Sequence, residues 1–241
     1  MSHRLHVPSA SSGTLVLVGS RFHYLLRVLR LGVGAQLEVF DEGSAFPARV
    51  SEISETSMTL ELGAEQVAPP MRSITVVQGL PKADKLELVL QKATELGASA
   101  FAPVSTARSI VKLEGKEEKK LDRWRRIVEE AARQSGRSEV PTVYAPAPLL
   151  DAVKALPGSP AVLVLDEEEH ATRLGLAFSA LEPERAVAVI IGPEGGLTRE
   201  EVDALQALGA VPVTLGRFVL RTETAALVTL AILRHLDGDA G

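Results

Sequence analysis

From residue 73 to its C-terminus, the sequence alternates short apolar segments with segments of helical periodicity. The predicted strands are 74–78, 101–104, 162–165, 187–191 and 211–215. The predicted helices are 84–96, 117–135, 171–180, 199–208 and 223–236. Because parallel strands need crossover connections, this alternation predicts a mostly parallel sheet with helices on both faces. The fold class that follows is α/β.

The first 65 residues follow a different pattern, in which short alternating segments are separated by Gly and Ser. Strands are predicted at 4–7, 14–18, 36–40, 46–53 and 58–62. One helix is predicted at 21–30, with Ser20 as its N-cap. Together these elements indicate a small β-barrel. Because proline cannot continue a strand ladder, Pro69 and Pro70 mark the predicted boundary between domains 1–70 and 71–241.

The composition excludes several classes of protein. Hydrophobic residues make up 46% and charged residues 24% of the 241 residues, which excludes collagen, coiled coil and wholesale disorder. No apolar run has the length of a membrane span, and residues 1–4 lead into no apolar segment typical of a signal peptide. We therefore expect a cytoplasmic protein that makes no membrane contact.

The chain has no cysteine and five histidines. Disulfides, thiolate metal sites and cysteine nucleophiles are therefore excluded. Only His3 and His6 are closely spaced, and residues three apart on a strand face opposite sides. We expect no bound metal.

The charge distribution indicates an anionic partner, although the net charge of −5 argues against one. Residues 1–37 contain Arg4, Arg21, Arg27 and Arg30 and no acidic residue. Residues 138–241, in contrast, carry seven Lys/Arg and fifteen Asp/Glu. Such asymmetry is typical of proteins that bind nucleic acid, and the alternative is that the arginines are ordinary solvated residues.

A glycine-rich loop directly follows the predicted strand 187–191. Residues 192–197 read Gly-Pro-Glu-Gly-Gly-Leu, and Thr198 and Glu201 form a capping box behind them. Open α/β sheets bind ligands beyond the carboxyl ends of their strands, and glycines let a ligand approach the backbone. Neither the dinucleotide-binding fingerprint nor the P-loop pattern is present, which disfavours both of those ligand classes.

A second loop follows the predicted strand 211–215. Its turn brings Arg217, Arg221 and Glu223 together among apolar neighbours. Charged groups in such a place either form structural ion pairs or belong to a site, and the position at a strand end favours a site.

Together the two loops resemble the signature of the SPOUT methyltransferases, and more specifically of the RsmE family of ribosomal RNA small subunit uridine-N3 methyltransferases. The resemblance covers nearly the whole chain. It includes His23 with 27–30, 85–87, 91–97, Arg108 with Ser109 and Lys112, and 130–137. Several independent motifs in the same order make coincidence a poor explanation.

The resemblance implies an N-terminal PUA-like β-barrel that helps to hold RNA. It also implies a C-terminal α/β domain that is tied in a trefoil knot, binds S-adenosyl-L-methionine and forms a homodimer. The implied cofactor-binding residues are Leu165, Gly192, Pro193, Glu194, Gly195, Gly196, Leu215, Gly216, Val219, Leu220, Thr222, Thr224 and Ala225. The implied RNA-binding residues are Arg21, His23, Arg27, Arg30, Arg108, Lys112 and Arg137. The implied partner is ribosomal RNA of the small subunit, in an assembled or assembling subunit.

One segment departs from the family pattern. Residues 166–170 read Asp-Glu-Glu-Glu-His, which is more acidic than the family leads us to expect. How this segment meets the cofactor or the RNA stays open at the level of sequence.

The lack of cysteine also bears on the reaction, because methylation of a pyrimidine at carbon five usually proceeds through a thiolate adduct. The methyl group must then go to nitrogen or oxygen. Uridine N3 becomes a nucleophile once its proton leaves, so the site must stabilise an anionic uracil. We expect Arg221 to supply positive charge and Glu223 to accept the proton or to orient Arg221. Glu95 and Arg108 are alternative candidates.

Because N3 is blocked in a base pair, the target uridine must be unpaired or flipped out. Two other functions compete with uridine N3 methylation. One is methylation of ribose 2′-oxygens of transfer or ribosomal RNA on the same fold. The other is a non-enzymatic RNA-binding assembly factor, which would need no methyl donor.

Overall fold

The computed structural model describes residues 3–7, 10–41, 44–67, 71–109, 115, 117–137 and 139–239. The chain divides into two compact units. The first comprises Met1–Pro70 with Gly136–Glu139, and the second comprises Met71–Ser135 with Val140–Gly241. Residues 136–139, which the predicted boundary assigns to the second domain, group with the first unit.

The first unit is built on a six-stranded, mostly antiparallel sheet. Its strands are β1 (His3–His6), β2 (Gly13–Val18), β3 (Gln36–Asp41), β4 (Ser44–Ile53), β5 (Ser57–Leu62) and β6 (Gln66–Val67). They lie in the order β1-β3-β4-β5-β2, with β6 paired to β4 and with β1 parallel to β3. The five strands predicted for this region are confirmed.

The helical segment of the first unit begins and ends two residues earlier than predicted. Helix α1 covers Gly19–His23 and continues as a π-helical turn over Tyr24–Val28. Its N-cap is Val18, which makes no side-chain capping bond, so the prediction of Ser20 as N-cap is wrong. The reason is that β2 runs directly into the helix, which places Ser20 inside the first turn. The π-helical turn buries Leu25 in the core of the unit.

The second unit is built on a seven-stranded sheet in which every described ladder is parallel. Its strands are β7 (Ile74–Gly79), β8 (Ala100–Ser105), β9 (Thr142–Val143), β10 (Ala147–Pro148), β11 (Ala161–Leu165), β12 (Val187–Ile191) and β13 (Val211–Val213). They lie in the order β10-β8-β7-β12-β11-β13, and β9 pairs with β8. The predicted α/β class with a mostly parallel sheet is confirmed.

Within the described ranges, six helices cover the two faces of this sheet. They are α2 (Lys85–Glu95), α3 (Glu117–Gln134), α4 (Leu149–Lys154), α5 (Leu174–Ser179), α6 (Arg199–Ala207) and α7 (Thr222–Leu236). Because side chains alternate along a strand, Val76 belongs to the buried cluster that includes α2, α3, α5 and α7, whereas its neighbour Val77 belongs to the cluster that includes α4 and α6. None of these helices has the length and apolar character that a bilayer span requires.

A buried ionic network fixes the C-terminal end of α7. Arg234 is only 2% exposed; its Nη2 donates to the Gly97 carbonyl oxygen at 2.6 Å and its Nη1 to Asp239 Oδ2 at 3.0 Å. Just before β7, Arg72 pairs with Asp237 at 3.2 Å. Burial lowers the pKa of Arg234 and raises the pKa of Asp237, in each case against the pull of the opposite charges nearby. The network ties the last helix to the turn after α2 and to the start of the sheet.

Candidate active site

Three loops meet at the carboxyl ends of β11, β12 and β13 and enclose a pocket of about 490 Å³. The lining residues come from 166–170, 192–199 and 214–221, together with Lys85 of α2 and the first turn of α7. Because the strands are parallel, their carboxyl ends lie at one edge of the sheet, where such folds bind ligands. The volume is in the range of small-molecule sites.

Close backbone approaches shape the glycine loop. A methyl group on Gly192 would lie 2.9 Å from the carbonyl carbon of Gly196, and Gly196 itself has a φ of 69°. At the end of β7, a methyl group on Gly79 would lie 2.6 Å from Cδ of Pro193. No side chain fits at Gly192 or Gly79 without displacing backbone or proline-ring atoms, so the loop is pressed tightly onto the neighbouring strand.

A buried hydrogen-bond relay holds this loop from within the unit. Gln78 Nε2 donates to Thr222 Oγ1 at 2.8 Å, and the Thr222 hydroxyl donates to the Gly192 carbonyl at 2.6 Å. Both side chains are buried. The relay therefore joins β7, the glycine loop and the start of α7 at the floor of the pocket.

The segment after β8 holds the same loop at Gly195. Arg108 Nη1 donates to the Gly195 carbonyl at 2.7 Å, and the backbone N–H of Ala107 donates to Glu201 Oε1 at 2.7 Å. Gly195 is absent from the pocket lining, and a methyl group there would meet Arg108 side-chain atoms at 3.2 Å. Arg108, an expected RNA-binding residue, thus has a partner in the glycine loop.

A charged cluster stands at the entrance to α2. Lys85 Nζ lies 2.9 Å from Glu194 Oε1 and 3.4 Å from Glu223 Oε2, and the Lys82 backbone N–H donates to Glu194 at 3.1 Å. The hydrogen bond to Glu194 raises the pKa of Lys85. Burial raises the pKa of Glu194, but the hydrogen bonds from Lys85 and Lys82 outweigh it, and the pKa ends below its usual value. Two carboxylates thus share one ammonium group.

The acidic segment after β11 is folded against α6. Arg199 Nη1 lies 2.8 Å from Asp166 Oδ2 and 3.3 Å from Glu168 Oε2. Glu169 Oε1 accepts the backbone N–H of Thr172 at 2.9 Å, and this bond is the main cause that lowers the pKa of Glu169. The segment that departs from the family pattern is therefore a held turn whose residues, Glu169 excepted, line the pocket.

The loop before α7 carries two exposed arginines. Arg217 and Arg221 both line the pocket, and within the described part of the chain neither forms an ion pair. Glu223 lies outside the pocket lining, and its ionic partner is Lys85. Of the two predicted catalytic residues, Arg221 lines the pocket, whereas Glu223 is paired with Lys85 outside the lining.

The structure brings most of the predicted cofactor residues together. Eleven of the thirteen line the pocket: Leu165, Gly192, Pro193, Glu194, Gly196, Leu215, Gly216, Val219, Leu220, Thr222 and Ala225. Gly195 and Thr224 do not. Thr222 contributes through the relay described above.

The residues expected to bind RNA belong to both units. Arg21, His23, Arg27 and Arg30 are exposed on the first unit. Arg137 is half-buried, Arg108 holds the glycine loop, and Lys112 lies outside the described residues. Glu95, the alternative catalytic candidate, forms an ion pair with Lys92 at 2.8 Å on the surface of α2.

Sequence reasoning missed Gln78, Gly79, Lys85 and Arg199 as site residues. The signal for the first two was a polar residue and a glycine at the end of an apolar strand. Among the residues that the structure describes, no group of three or more His, Asp or Glu side chains is arranged so that it could hold a metal ion.

Two family models of RNA methyltransferases match this chain. Residues 68–234 match a family model described as an RNA methyltransferase domain, and residues 17–63 match an RNA methyltransferase PUA domain. The chain is 36% identical to ribosomal RNA small subunit methyltransferase E of Bacillus subtilis (strain 168), over 92% of this chain and 90% of that protein. It is 35% identical to the protein of the same name from Synechocystis sp., over 98% of this chain and 78% of that protein.

A solved structure extends the likeness to the fold. The crystal structure of a ribosomal RNA small subunit methyltransferase E from Neisseria gonorrhoeae, bound to S-adenosyl methionine, aligns with a TM-score of 0.66 and 29% identity, over 98% of both chains. Because the RNA methyltransferase model matches residues 68–234 and these relatives match 92% and 98% of the chain, the chain belongs to the ribosomal RNA small subunit methyltransferase E family.

Proposed function

We propose that this protein transfers a methyl group from S-adenosyl-L-methionine to uridine N3 in 16S ribosomal RNA of the small subunit. The observation that carries the proposal is the pocket at the carboxyl ends of β11, β12 and β13, in which eleven residues implied by the family resemblance converge. The relatives named above act on small subunit ribosomal RNA by name, and one of them binds S-adenosyl methionine.

The residues of the pocket fit this cofactor. Leu165, Leu215 and Leu220 supply apolar surface for an adenine ring, and Gly192 and Gly196, which have no side chains, line the same pocket. When bound, S-adenosyl-L-methionine supplies an electrophilic methyl group on a sulfonium centre. The carboxylates around the pocket suit a ligand with positive charge and ribose hydroxyls.

Arg221 is the residue we assign to the developing charge on uracil. Loss of the N3 proton leaves negative charge on the flanking carbonyl oxygens, and an exposed guanidinium in the pocket wall can donate to one of them. The arginine needs no rearrangement of an existing ion pair, since it forms none with the described residues.

Glu223 is the residue we assign to proton acceptance. The Glu194 carboxylate is engaged by Lys85 and Lys82, which lower its pKa and therefore its basicity. Glu223 Oε2 pairs with the same Lys85 at the longer distance of 3.4 Å and has no hydrogen-bond partner among the described residues. Lys85 is then the positioning residue that holds this carboxylate beside the pocket.

The deciding experiment maps methylated nucleosides in ribosomal RNA from cells with and without the gene. We expect 3-methyluridine to disappear from the small subunit RNA when the gene is absent. Nuclease digestion and chromatography separate this product from a 2′-O-methylated nucleoside of the same mass. Loss of a ribose-methylated nucleoside instead would establish the alternative reaction, and unchanged RNA would indicate an assembly factor.

Three further properties implied by the resemblance are part of this proposal: a trefoil knot in the second unit, a homodimer and a cytoplasmic location. Sedimentation velocity tests the dimer directly. Incubation of the purified protein with naked 16S RNA and with small subunits separates the two forms of the substrate.

A further inference from the structure

The loop before α7 exposes two large apolar side chains at the mouth of the pocket. Phe218 is 71% exposed and Val219 is 79% exposed, more than any other large apolar side chain in the described part of the chain. Both line the pocket. Side chains of this kind are normally buried, so their exposure at a ligand site indicates a surface kept free for a binding partner.

Phe218 also lies beside an arginine side chain. The guanidinium carbon of Arg217 lies 4.9 Å from the centre of the Phe218 ring. Arg221 follows three residues after Phe218, and the stretch from Leu215 to Arg221 contains no acidic residue. One face of the ring therefore carries a cation, while the high exposure leaves the rest of the ring open.

An aromatic ring beside exposed arginines suits a nucleobase with its phosphate. Every base has a π-face that stacks on an aromatic side chain, and a nearby guanidinium group binds the backbone. The location adds a second argument, because an unpaired uridine must cross this rim to bring N3 within about 3–3.5 Å of the methyl group.

A second copy of the chain fits this surface less well. A two-fold interface places the same patch of both copies together. If such an interface were centred on this loop, Arg217 and Arg221 of one copy would face the same arginines of the other. These like charges would repel each other, because none of the described residues forms an ion pair with either arginine. The observations therefore favour RNA.

We propose that Phe218 is the platform on which a base of the substrate RNA stacks as it enters the pocket, with Arg217 binding the adjacent phosphate. Arg221 stays available for the uracil oxygen. The proposal rests on the proposed function for the identity of the substrate. It makes Phe218 a substrate-positioning residue.

The test measures binding of a fluorescently labelled oligouridine of about nine nucleotides by anisotropy, at fixed salt. Phe218→Ala should weaken binding about 5- to 150-fold, the range that loss of one stacked base produces. Phe218→Leu, the matched control, keeps an apolar side chain without a π-face and should be as weak. Phe218→Trp should stay within about twofold of the unchanged protein, and circular dichroism checks the fold of each variant.

Several results would overturn the proposal: equal affinity in all four proteins, recovery of binding by Phe218→Leu, or no binding of the oligouridine by the unchanged protein. A change of sedimentation coefficient in Phe218→Ala would assign the ring to an interface between copies and would also overturn it. Calorimetry with S-adenosyl-L-methionine on the unchanged protein tests the proposed function separately. Failure of the stacking proposal can therefore be distinguished from failure of the proposed function.

Discussion

The close approach of β7 to the glycine loop makes Gly79→Ala an informative perturbation. The new methyl group would lie 2.6 Å from Cδ and 2.7 Å from N of Pro193, whereas ordinary contacts begin at 3.4 Å, so the loop must retreat by about 0.8 Å. The obstructing atoms belong to the backbone and to a proline ring. No change of rotamer can therefore relieve the clash.

The size of the effect follows from this displacement. Overpacking of a well-packed region costs about 1–3 kcal/mol, and each kcal/mol lowers the Tm of a domain of this size by about 2–4 °C. Binding sites need their groups held to within about 0.5 Å, and the required movement exceeds that. We expect the affinity for S-adenosyl-L-methionine to fall at least about tenfold, which corresponds to about 1.4 kcal/mol.

Isothermal titration calorimetry gives the affinity, and circular dichroism on the same samples gives the Tm. Gly195→Ala is the matched control, because its methyl group would meet the exposed side chain of Arg108 at 3.2 Å instead of backbone atoms. We expect the control to bind the cofactor within about twofold of the unchanged protein. Unchanged affinity in Gly79→Ala would refute the assignment of the cofactor to this loop, and an equal loss in Gly195→Ala would refute the particular importance of the contact between β7 and Pro193.

Three further predictions concern other parts of the chain. Replacing Arg27 and Arg30 by Glu should weaken RNA binding and reduce the slope of log affinity against log salt by about one for each phosphate that the variant no longer binds, as a salt titration will show. Arg234→Ala should lower the free energy of unfolding by about 3–5 kcal/mol in denaturant titrations, because it removes the buried guanidinium that pairs with Asp239 and donates to the Gly97 carbonyl. Since the folded-state pKa of Glu194 is lowered, its stabilising contribution is present above its usual value of 4.5 and lost as the pH falls through the lower folded value. The difference in unfolding free energy between the unchanged protein and Glu194→Gln should shrink over that interval.

Each of these predictions can fail. Arg133→Ala removes an exposed helical ion pair at 3.0 Å and should cost less than about 1 kcal/mol; a loss as large as that of Arg234→Ala would contradict the role of burial. An unchanged salt slope in the double variant would identify Arg27 and Arg30 as ordinary solvated residues. A constant difference between the unchanged protein and Glu194→Gln down to about pH 2 would show that the ion pair contributes no pH-dependent stability.

Periodicity predicts the fold where the pattern is long and repeated. The strand Val187–Ile191 and the capping box of Thr198 and Glu201 are predicted at these residues and are confirmed. The short elements β9, β10 and α4 are not predicted, because two to six residues carry too little periodicity. The π-helical turn of the first unit is not predicted, because the spacing of its apolar residues also fits an α-helix.

The site is predictable only in part, for a different physical reason. Loops at strand ends are local in sequence, so their glycines can be identified directly. Gln78 and Lys85 act on the loop across more than 100 residues of sequence, at 2.8 Å from Thr222 and 2.9 Å from Glu194. Such pairings depend on strand order, which the sequence pattern does not specify.

Helix α7 has a different task at each end. Its first turn contributes Thr222 and Ala225 to the pocket, and its last turn carries the buried Arg234. At about 1.5 Å per residue, the fifteen-residue helix sets these two places roughly 20 Å apart. Because α7 is one continuous helix that is held at both ends, we expect ligand binding in the pocket to slow amide hydrogen exchange near residue 234. For the same reason, an affinity tag or a truncation that disturbs Asp237 or Asp239 is expected to weaken ligand binding at the opposite end of the helix.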